Sequence, residues 1–219
     1  VPRWPECHTP AWAAELNEGV RHEQILELLT EIVNRYKDRE QVIMWQVENE
    51  PLLDFFGECP KGDVKFLARE VEHVKNLDRS REVMVTDAGE LSFWLRTSSV
   101  ADVLGVSLYR ITWNPIFGNF FYPLTPQHYQ QKAAFSEYFV NKVIISELQA
   151  EPWGNRPLNQ MSLEEQYKTM NMSFFRENIL FAKKIGFEQI YLWGVEWWYW
   201  LKQQGVDEFW EEARTLFHD

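Results

Sequence analysis

Residues 41–51 read Gln-Val-Ile-Met-Trp-Gln-Val-Glu-Asn-Glu-Pro, an apolar run of strand length that ends in two glutamates, an asparagine and a proline. A strand buried on both faces of a parallel sheet is expected to be nearly continuously apolar. The polar residues would then emerge at the carboxyl end of the strand, where Pro51 ends the pairing. Ligands bind and reactions occur at that edge of a parallel α/β sheet. This segment therefore predicts a fold class and the location of a site.

A second predicted strand, residues 142–147, reads Lys-Val-Ile-Ile-Ser-Glu and also ends in a glutamate. Taken alone, Glu50 or Glu147 is more often a helix-terminal or salt-bridging carboxylate. The pair on one sheet edge favours a two-carboxylate site, because glycoside hydrolysis needs one carboxyl that donates a proton and one that is ionised. A separation of about 5–5.5 Å between them would give retention, and about 6.5–9.5 Å would give inversion.

Strand and helix patterns alternate along the rest of the chain. Strands are predicted at residues 41–47, 82–86, 102–107, 142–147 and 188–194, and helices at 25–36, from 63, around 91–96, from 126, at 162–185 and at 206–217. Residues 111–124 are predicted to form a long aromatic loop. This alternation with short links implies right-handed parallel βαβ units. We expect residues 1–219 to form a single α/β domain.

Composition excludes several classes of function. The 219 residues are 45% hydrophobic and 25% charged, which is typical of a globular domain. The net charge of -11 argues against binding to a nucleic-acid backbone, which needs a basic face. No apolar run approaches the roughly 18 residues of a membrane span. The chain opens on Val-Pro-Arg without a targeting signal, so the sequence leaves localisation open.

The sequence gives no pattern for a metal or cofactor site. The five histidines lack metal-ligand spacing, and the two cysteines, Cys7 and Cys59, are too few for a disulfide scaffold. Reduced thiols are favoured over a Cys7–Cys59 bridge, which stays open. A divalent-metal hydrolase with Glu48, Glu50 and Asp54 as oxygen ligands is a distant alternative. We therefore predict neither a metal nor a cofactor.

Two motifs resemble a known superfamily. Residues 45–51, Trp-Gln-Val-Glu-Asn-Glu-Pro, resemble the fourth-strand motif of the clan A retaining glycoside hydrolases, the cellulase and β-galactosidase superfamily of (β/α)8 TIM barrels. Residues 145–153, Ile-Ser-Glu-Leu-Gln-Ala-Glu-Pro-Trp, resemble its seventh-strand motif. The resemblance covers nearly the whole chain as strands four to eight, with residues 1–8 as the end of strand three. It implies an N-terminally truncated barrel that is closed by a missing N-terminal segment or by self-association.

The resemblance also implies roles for individual residues. Glu50 matches the general acid/base and Glu147 the nucleophile. Glu151 is a lower-ranked rival nucleophile because it lies in the loop beyond the strand. Glu48 is expected to be a structural partner for a cation.

Other residues are implied to contact the sugar, and flat aromatic faces suit pyranose rings. They are Asn49 at the 2-hydroxyl, Tyr109 orienting the nucleophile, Trp193 as the floor of a subsite, His8 from the third strand, and Trp153 and Trp197 as further cleft candidates. On the sixth strand many relatives carry His-x-Tyr, whereas this chain has Ser107-Leu108-Tyr109.

The sequence thus predicts a retaining β-glycoside hydrolase that cleaves a β-linked oligo- or polysaccharide by double displacement. A non-catalytic glycan-binding relative is the alternative, since it would keep the tryptophans without turnover. The identity of the sugar, the linkage and internal or terminal attack stay open.

Overall fold

The computed structural model describes residues 9–53, 61–114 and 116–217. The helices are α1 (Ala11–Ala14), α2 (Glu18–Tyr36), α3 (Val64–Leu77), α4 (Leu95–Ser98), α5 (Pro126–Ser136), α6 (Leu163–Tyr167), α7 (Met172–Ile185), α8 (Val195–Gln203) and α9 (Glu208–Thr215), with a short 3-10 helix at Leu158–Gln160. The strands are β1 (Trp45–Gln46), β2 (Val83–Ala88), β3 (Val103–Leu108), β4 (Ile111–Asn114), β5 (Gly118–Phe121), β6 (Lys142–Gln149) and β7 (Ile190–Trp193). Within the described residues, no helix is both long and apolar enough to cross a membrane.

The chain divides into two compact units. Unit 1 comprises Val1–Gly105 and Lys132–Val143, and unit 2 comprises Val106–Gln131 and Ile144–Asp219. The main sheet has the strand order β1-β2-β3-β6-β7, and β4 and β5 form a separate hairpin. The pairs β1–β2 and β6–β7 are parallel. These strands with their helices form part of a (β/α) barrel, as the sequence predicts.

Unit 1 has an aliphatic core between its sheet and its helices. Polar caps fix where α2 and α3 begin, because the side chains of Asn17 and Asp63 accept hydrogen bonds from the first turns. The core residues are Val33, Val47, Leu67, Val71, Val74, Val83, Val85 and Ala101. Most are β-branched residues on strands or members of one helical stripe, so the apolar period of the sequence determines the packing.

The core of unit 2 is aromatic. Phe175 of α7 packs edge-to-face against Trp198 of α8 and Phe209 of α9, with ring centroids 5.6 and 5.7 Å apart. Trp197 packs against Phe209 at 4.6 Å. These contacts bury large rings from three helices in one cluster.

The start of β1 is held by Arg81. Its guanidinium donates to the carbonyls of Lys37 at 2.7 Å and Arg39 at 2.9 Å, and pairs with Asp78 at 2.7 Å. Burial raises the pKa of Asp78, but hydrogen bonds from Ser80, Trp45 and Arg81 outweigh it and hold the pKa well below its usual range. The ionised carboxylate therefore supports the turn that leads into β1.

Several helix boundaries agree with the sequence. Asp63 is the N-cap of α3, Ser162 and Glu165 form a complete capping box, and Gly186 closes α7 at φ 83°. One predicted helix, residues 162–185, is instead two helices, α6 and α7. The prediction fails because the Asn171 side chain accepts from Phe174 N at 3.0 Å and starts a new helix there.

Residues 111–124 are not the predicted loop but contain the β4–β5 hairpin. Ile111 pairs with Phe121 and Asn114 with Gly118. The Asn114 side chain accepts hydrogen bonds from the amides of Ile116 and Phe117, and Gly118 has φ 68°. Asparagine and glycine at these positions favour a tight turn, and that signal was hidden by the aromatic residues around it.

Helix α8 was not predicted from the sequence, and the predicted strand at residues 41–47 is longer than β1. In α8 successive aromatic residues hide the helical period, although Trp197, Trp198 and Leu201 form its buried face. Ladder pairing in β1 is limited to Trp45 and Gln46, because the chain turns away at the glutamates that follow. The predicted strand end at residues 1–8 lies outside the described residues, and the single-domain assignment stays a prediction.

Gly194 allows the ends of β6 and β7 to approach closely. It has φ 154°, and a Cβ atom there would lie 2.6 Å from the Ala150 carbonyl oxygen and 3.0 Å from Trp198 Nε1. That oxygen accepts from Trp198 Nε1 at 2.7 Å, and Ala150 N donates to Trp193 O. A side chain at this position would force these backbones apart.

We expect Gly194→Ala to lower the free energy of unfolding by about 2–4 kcal/mol, since overpacking adds to backbone strain. The matched control Gly186→Ala has a left-handed φ but nothing within 4 Å of its Cβ, so its cost should be about 1 kcal/mol. Urea unfolding of both variants measures the difference. Equal losses would show that the close approach to Ala150 does not limit the residue at position 194.

Candidate active site

The first group of predicted site residues follows β1 in unit 1. Glu48 and Glu50 both have left-handed backbones, at φ 57° and 48°, a conformation that is uncommon outside glycine and asparagine. Such residues cost of order 1–3 kcal/mol each and persist where surrounding contacts over-determine them. Backbone strain of this kind is concentrated at functional sites.

Thr86 of β2 holds Asn49 and the backbone of Glu50. Its buried hydroxyl accepts from Glu50 N at 2.9 Å and donates to Asn49 Oδ1 at 3.0 Å. Gln46 Nε2 donates to Glu48 O at 3.2 Å, and Leu53 N donates to Glu50 O at 3.2 Å. The strand end that carries Asn49 and Glu50 is thus fixed on several sides.

Among the described residues, Glu48 forms no ion pair with a lysine, arginine or histidine. Its carboxyl is a neighbour of Glu70 of α3, whose side chain is buried. Burial, and after it the charge of Glu48, raises the pKa of Glu70. The expected cationic partner of Glu48 stays a prediction, and strand alternation does not reveal which helix residue faces the strand end.

The second group lies in unit 2, around Glu147 of β6. Ile145 pairs with Ile190 and Leu148 with Leu192, so β6 contains one more residue than β7 across this interval. This irregularity is a β-bulge at Ser146 and Glu147, and bulges next to active sites re-aim side chains. The hydroxyl of Tyr109 donates to Glu147 Oε2 at 2.9 Å.

Tyr109 is itself supported by the loops around it. Its ring meets that of Trp153 edge-to-face at 5.2 Å. The Thr169 hydroxyl accepts from Trp153 N at 3.1 Å and donates to Trp153 O at 3.0 Å. The aromatic ring of Trp153 is therefore held beside the tyrosine that contacts Glu147.

The buried side chain of Gln149 connects β6 to the hairpin that follows Tyr109. Its Oε1 accepts from Ile111 N at 3.0 Å and its Nε2 donates to Ile111 O at 2.7 Å. The backbone carbonyl of Gln149 accepts from Asn178 Nδ2 at 3.0 Å. Gln149 lies two residues after Glu147, and Ile111 lies two residues after Tyr109. These hydrogen bonds therefore hold together the two segments that carry Glu147 and Tyr109.

The tryptophans differ in exposure. Trp193, the last residue of β7, is 40% exposed. Trp197 is 3% exposed and donates to Gln166 Oε1 at 2.6 Å. This burial corrects the expectation of a cleft residue, and we assign Trp197 to the core.

Further acidic residues lie near the ends of β2 and β6, and some predicted residues lie outside the described part of the chain. Asp87 is buried and accepts hydrogen bonds from Thr97, Ser92 and the Ala88 amide, while burial raises its pKa. Glu151 is buried two residues past β6, in the loop where the sequence places it. The predicted residues His8, Asp54, Cys7 and Cys59 lie outside the described residues. Among those described, no group of three or more acidic, histidine or cysteine side chains could hold a metal ion.

Sequence reasoning missed Thr86, Glu70 and Gln149. Each is a polar residue at a position whose pattern is apolar: Thr86 in a buried strand, and Glu70 in the stripe of α3 that includes Leu67 and Val74. A polar residue at a buried position needs a hydrogen-bond partner. Such interruptions are the signal that could have identified all three.

The fold, with parallel strands, flanking helices and carboxylates after two of the strands, is that of a partial (β/α) barrel of the clan A glycoside hydrolase type. Three solved structures share this fold. An FMN-binding β-glucuronidase from Faecalibacterium prausnitzii L2-6 is 16% identical, over 81% of this chain and 26% of that chain, with a TM-score of 0.54. A Faecalibacterium prausnitzii β-glucuronidase is 20% identical, over 78% of this chain and 28% of that chain, with a TM-score of 0.53.

The third structure, a β-D-glucuronidase from Dictyoglomus thermophilum, is 20% identical, over 80% of this chain and 29% of that chain, with a TM-score of 0.50. The chain therefore spans between a quarter and a third of each of these structures. No curated protein matches the chain in sequence. The TIM barrel domain of the glycosyl hydrolases family 2 matches residues 4–177. The chain belongs to this family, which confirms the predicted superfamily and the TIM-barrel fold.

We expect Thr86→Val to lower the free energy of unfolding by about 1–3 kcal/mol, because the Glu50 amide loses its acceptor. Amide hydrogen exchange at Glu50 should accelerate as the strand end loosens. The control Thr112→Val, on the hairpin, should change stability by no more than about 0.5 kcal/mol. Unchanged exchange at Glu50 would show that the Thr86 hydroxyl does not hold this turn.

Proposed function

We propose that this chain is part of the catalytic barrel of a retaining β-glycoside hydrolase that acts on a β-linked oligo- or polysaccharide. The observation that carries the proposal is the Tyr109 hydroxyl on Glu147 at the bulge of β6. A tyrosine donor favours the ionised form of a carboxylate and holds it in one orientation. That state is the one that a nucleophilic glutamate needs.

In the proposed reaction, a carboxylate oxygen of Glu147 attacks the anomeric carbon while Glu50 transfers its proton to the leaving oxygen. The glycosidic bond breaks and a glycosyl ester forms on Glu147. Glu50 then accepts a proton from water, and the water oxygen attacks the same carbon and releases Glu147. Each of the two steps inverts the configuration at the anomeric carbon, so the product retains the configuration of the substrate. This scheme uses only two carboxyl groups and water, so the proposal includes no metal and no cofactor.

Neighbouring side chains have supporting roles in this proposal. Asn49, bonded to Thr86, is assigned to the substrate 2-hydroxyl, where an amide can donate and accept. Trp193 and Trp153 are assigned to flat faces of the sugar rings. The neighbours named above are β-glucuronidases, so a β-glucuronide is the first substrate to test beside neutral β-glycosides.

Mechanism-based trapping tests the nucleophile. We expect 2-fluoro-β-glycosides with an activated leaving group to form a stable ester on Glu147, because the fluorine slows both steps while the leaving group keeps formation of the ester faster than its hydrolysis. Peptide mass mapping after incubation with glucuronic acid, glucose, galactose, mannose and xylose derivatives would locate the label and identify the sugar. A label on Glu151 would contradict the assignment, and no label with any sugar would favour a glycan-binding protein without turnover.

The Glu50→Ala variant tests the role of Glu50 as the general acid. It should lose activity on glycosides with poor leaving groups, which need protonation, and keep activity on those with activated leaving groups. Added azide should restore turnover by replacing the base-activated water. Equal losses on all leaving groups would remove Glu50 from the acid role.

We also propose that α2 packs against further polypeptide that completes the barrel. Its residues Leu28, Ile32 and Tyr36 are 58%, 39% and 43% exposed, and the parallel sheet of the described residues has five strands, whereas a TIM barrel has eight. Either an N-terminal segment or a second copy could supply the cover. Sedimentation of the intact protein should give a monomer in the first case and a dimer in the second. If the protein is a monomer and its Leu28→Asp variant is as stable as the wild type, the result contradicts both an N-terminal segment and a second copy as the cover of α2.

A further inference from the structure

The two faces of the β4–β5 hairpin have different surroundings. Ile111 and Phe121 are paired across the two strands, so their side chains lie on the same face. Ile111 is buried, and the ring of Phe121 packs against that of Phe174 in α7, with centroids 5.7 Å apart. This face therefore attaches the hairpin to the core of unit 2.

The opposite face of the hairpin has a row of aromatic rings. Phe120 lies on this second face, because successive side chains of a strand point to opposite sides. The centroid of its ring lies 6.1 Å from that of Phe117 at the turn and 5.1 Å from that of Tyr122 at the base. Phe117 is exposed, and Phe120 and Tyr122 are partly exposed. We call these three residues the aromatic face.

A series of contacts joins the aromatic face to the proposed nucleophile. Tyr122 N donates to the Arg110 carbonyl oxygen at 3.0 Å. Arg110 directly follows Tyr109, whose hydroxyl donates to Glu147 Oε2 at 2.9 Å. The row of rings therefore begins beside the segment that carries Tyr109 and ends at the turn of the hairpin.

Both ends of the hairpin are held by side-chain hydrogen bonds. At the base, the Gln149 amide bonds both the N–H and the carbonyl of Ile111. At the turn, Asn114 Oδ1 accepts from the amides of Ile116 at 3.0 Å and Phe117 at 2.8 Å. A surface whose backbone is already fixed loses little conformational entropy when a ligand binds.

The hairpin lacks charge as well as being aromatic. Residues 111–124 contain no charged side chain. The guanidinium of Arg110, which precedes them, lies over the ring of Phe181 at 4.2 Å. Exposed aromatic rings suit the apolar faces of pyranose sugars, whereas acidic sugars are bound best by cationic side chains. The composition of this surface therefore fits a neutral glycan.

We propose that the aromatic face binds an extended neutral β-linked glycan, next to the sugar that Glu147 attacks. This assignment rests on the proposed function, because the glycan is the substrate of the same site. Phe117 and Phe120 contact the flat faces of sugar rings, and Tyr122 supports Phe120 edge-on. The preferred substrate is thus a polysaccharide or a long oligosaccharide rather than a short glycoside.

The first test measures binding without turnover. Titration calorimetry of the intact protein with Glu147→Gln uses neutral β-linked glucose, mannose and xylose oligomers, from disaccharides to hexasaccharides. We expect affinity to rise with chain length in at least one sugar series. Adding Phe117→Ala should weaken binding of that hexasaccharide about 10-fold and leave the disaccharide unchanged, because the apolar contact is lost only for the longer chain. Phe117→Tyr, which keeps the ring, should bind like the parent.

The matched control is Phe121→Ala. It removes the same type of side chain from the same hairpin, but from the face that packs against Phe174. We expect this variant to keep the dependence of affinity on chain length. Equal losses in Phe117→Ala and Phe121→Ala would report a loosened hairpin and would overturn the role of the aromatic face.

The second test measures hydrolysis by the protein that retains Glu147. Phe117→Ala should lower kcat/KM about 10-fold on the hexasaccharide that binds best and leave kcat/KM unchanged on aryl glycosides with a single sugar. An equal fall on both substrates would overturn an extended subsite at Phe117.

Sedimentation and thermal unfolding of the intact protein test whether polypeptide covers the aromatic face instead. If Phe117→Ala converts a dimer into a monomer, a second copy is the occupant and the glycan proposal is overturned. If Phe117→Ala stays a monomer but unfolds several degrees lower than the wild type, the chain's own polypeptide is the occupant, with the same consequence. We expect neither change.

The outcomes for the two proposals are distinct. If no oligomer binds in a way that depends on Phe117, the aromatic face is overturned, even where the wild type cleaves short glycosides. If binding depends on chain length and on Phe117 but the wild type cleaves no glycoside, the proposed hydrolysis is overturned while the glycan surface is supported.

Discussion

The paired hydrogen bonds between the Gln149 amide and the Ile111 peptide determine where Tyr109 meets Glu147. A side-chain amide has the same donor and acceptor as a peptide group, so Gln149 satisfies Ile111 as a neighbouring strand would. Because the pair is fully buried, breaking it would leave polar groups without water. The tyrosine and the glutamate are therefore positioned by the same rigid connection between β6 and the hairpin.

A different constraint acts after β1. Two left-handed glutamates flank Asn49, and their strain of order 1–3 kcal/mol each must be offset by contacts. Thr86 supplies two hydrogen bonds, and both join the turn to the buried part of β2. The turn is held by neighbouring elements rather than by its own residues, which lack the conformational freedom of glycine.

The sequence predicted most of what depends on local pattern. The apolar run of β6 and the Ser162 capping box were readable because burial and capping follow fixed spacings. The break at Asn171 was not readable, since one side-chain hydrogen bond decided between one long helix and two. The Glu48–Glu70 pair depends on how α3 rotates against the sheet, which no spacing within one segment encodes. The bulge at Glu147 requires the register of β7, which is likewise a property of two segments.

The hairpin combines a rigid base with an exposed tip. Ile111, at its base, is 2% exposed, whereas Ile116 and Phe117, at its turn, are 81% and 71% exposed. Residues at the turn can therefore change in size, polarity or number with little effect on the core. Lineages that diverge at this turn, or laboratory libraries built there, should inherit an unaltered connection between Gln149 and the base of the hairpin.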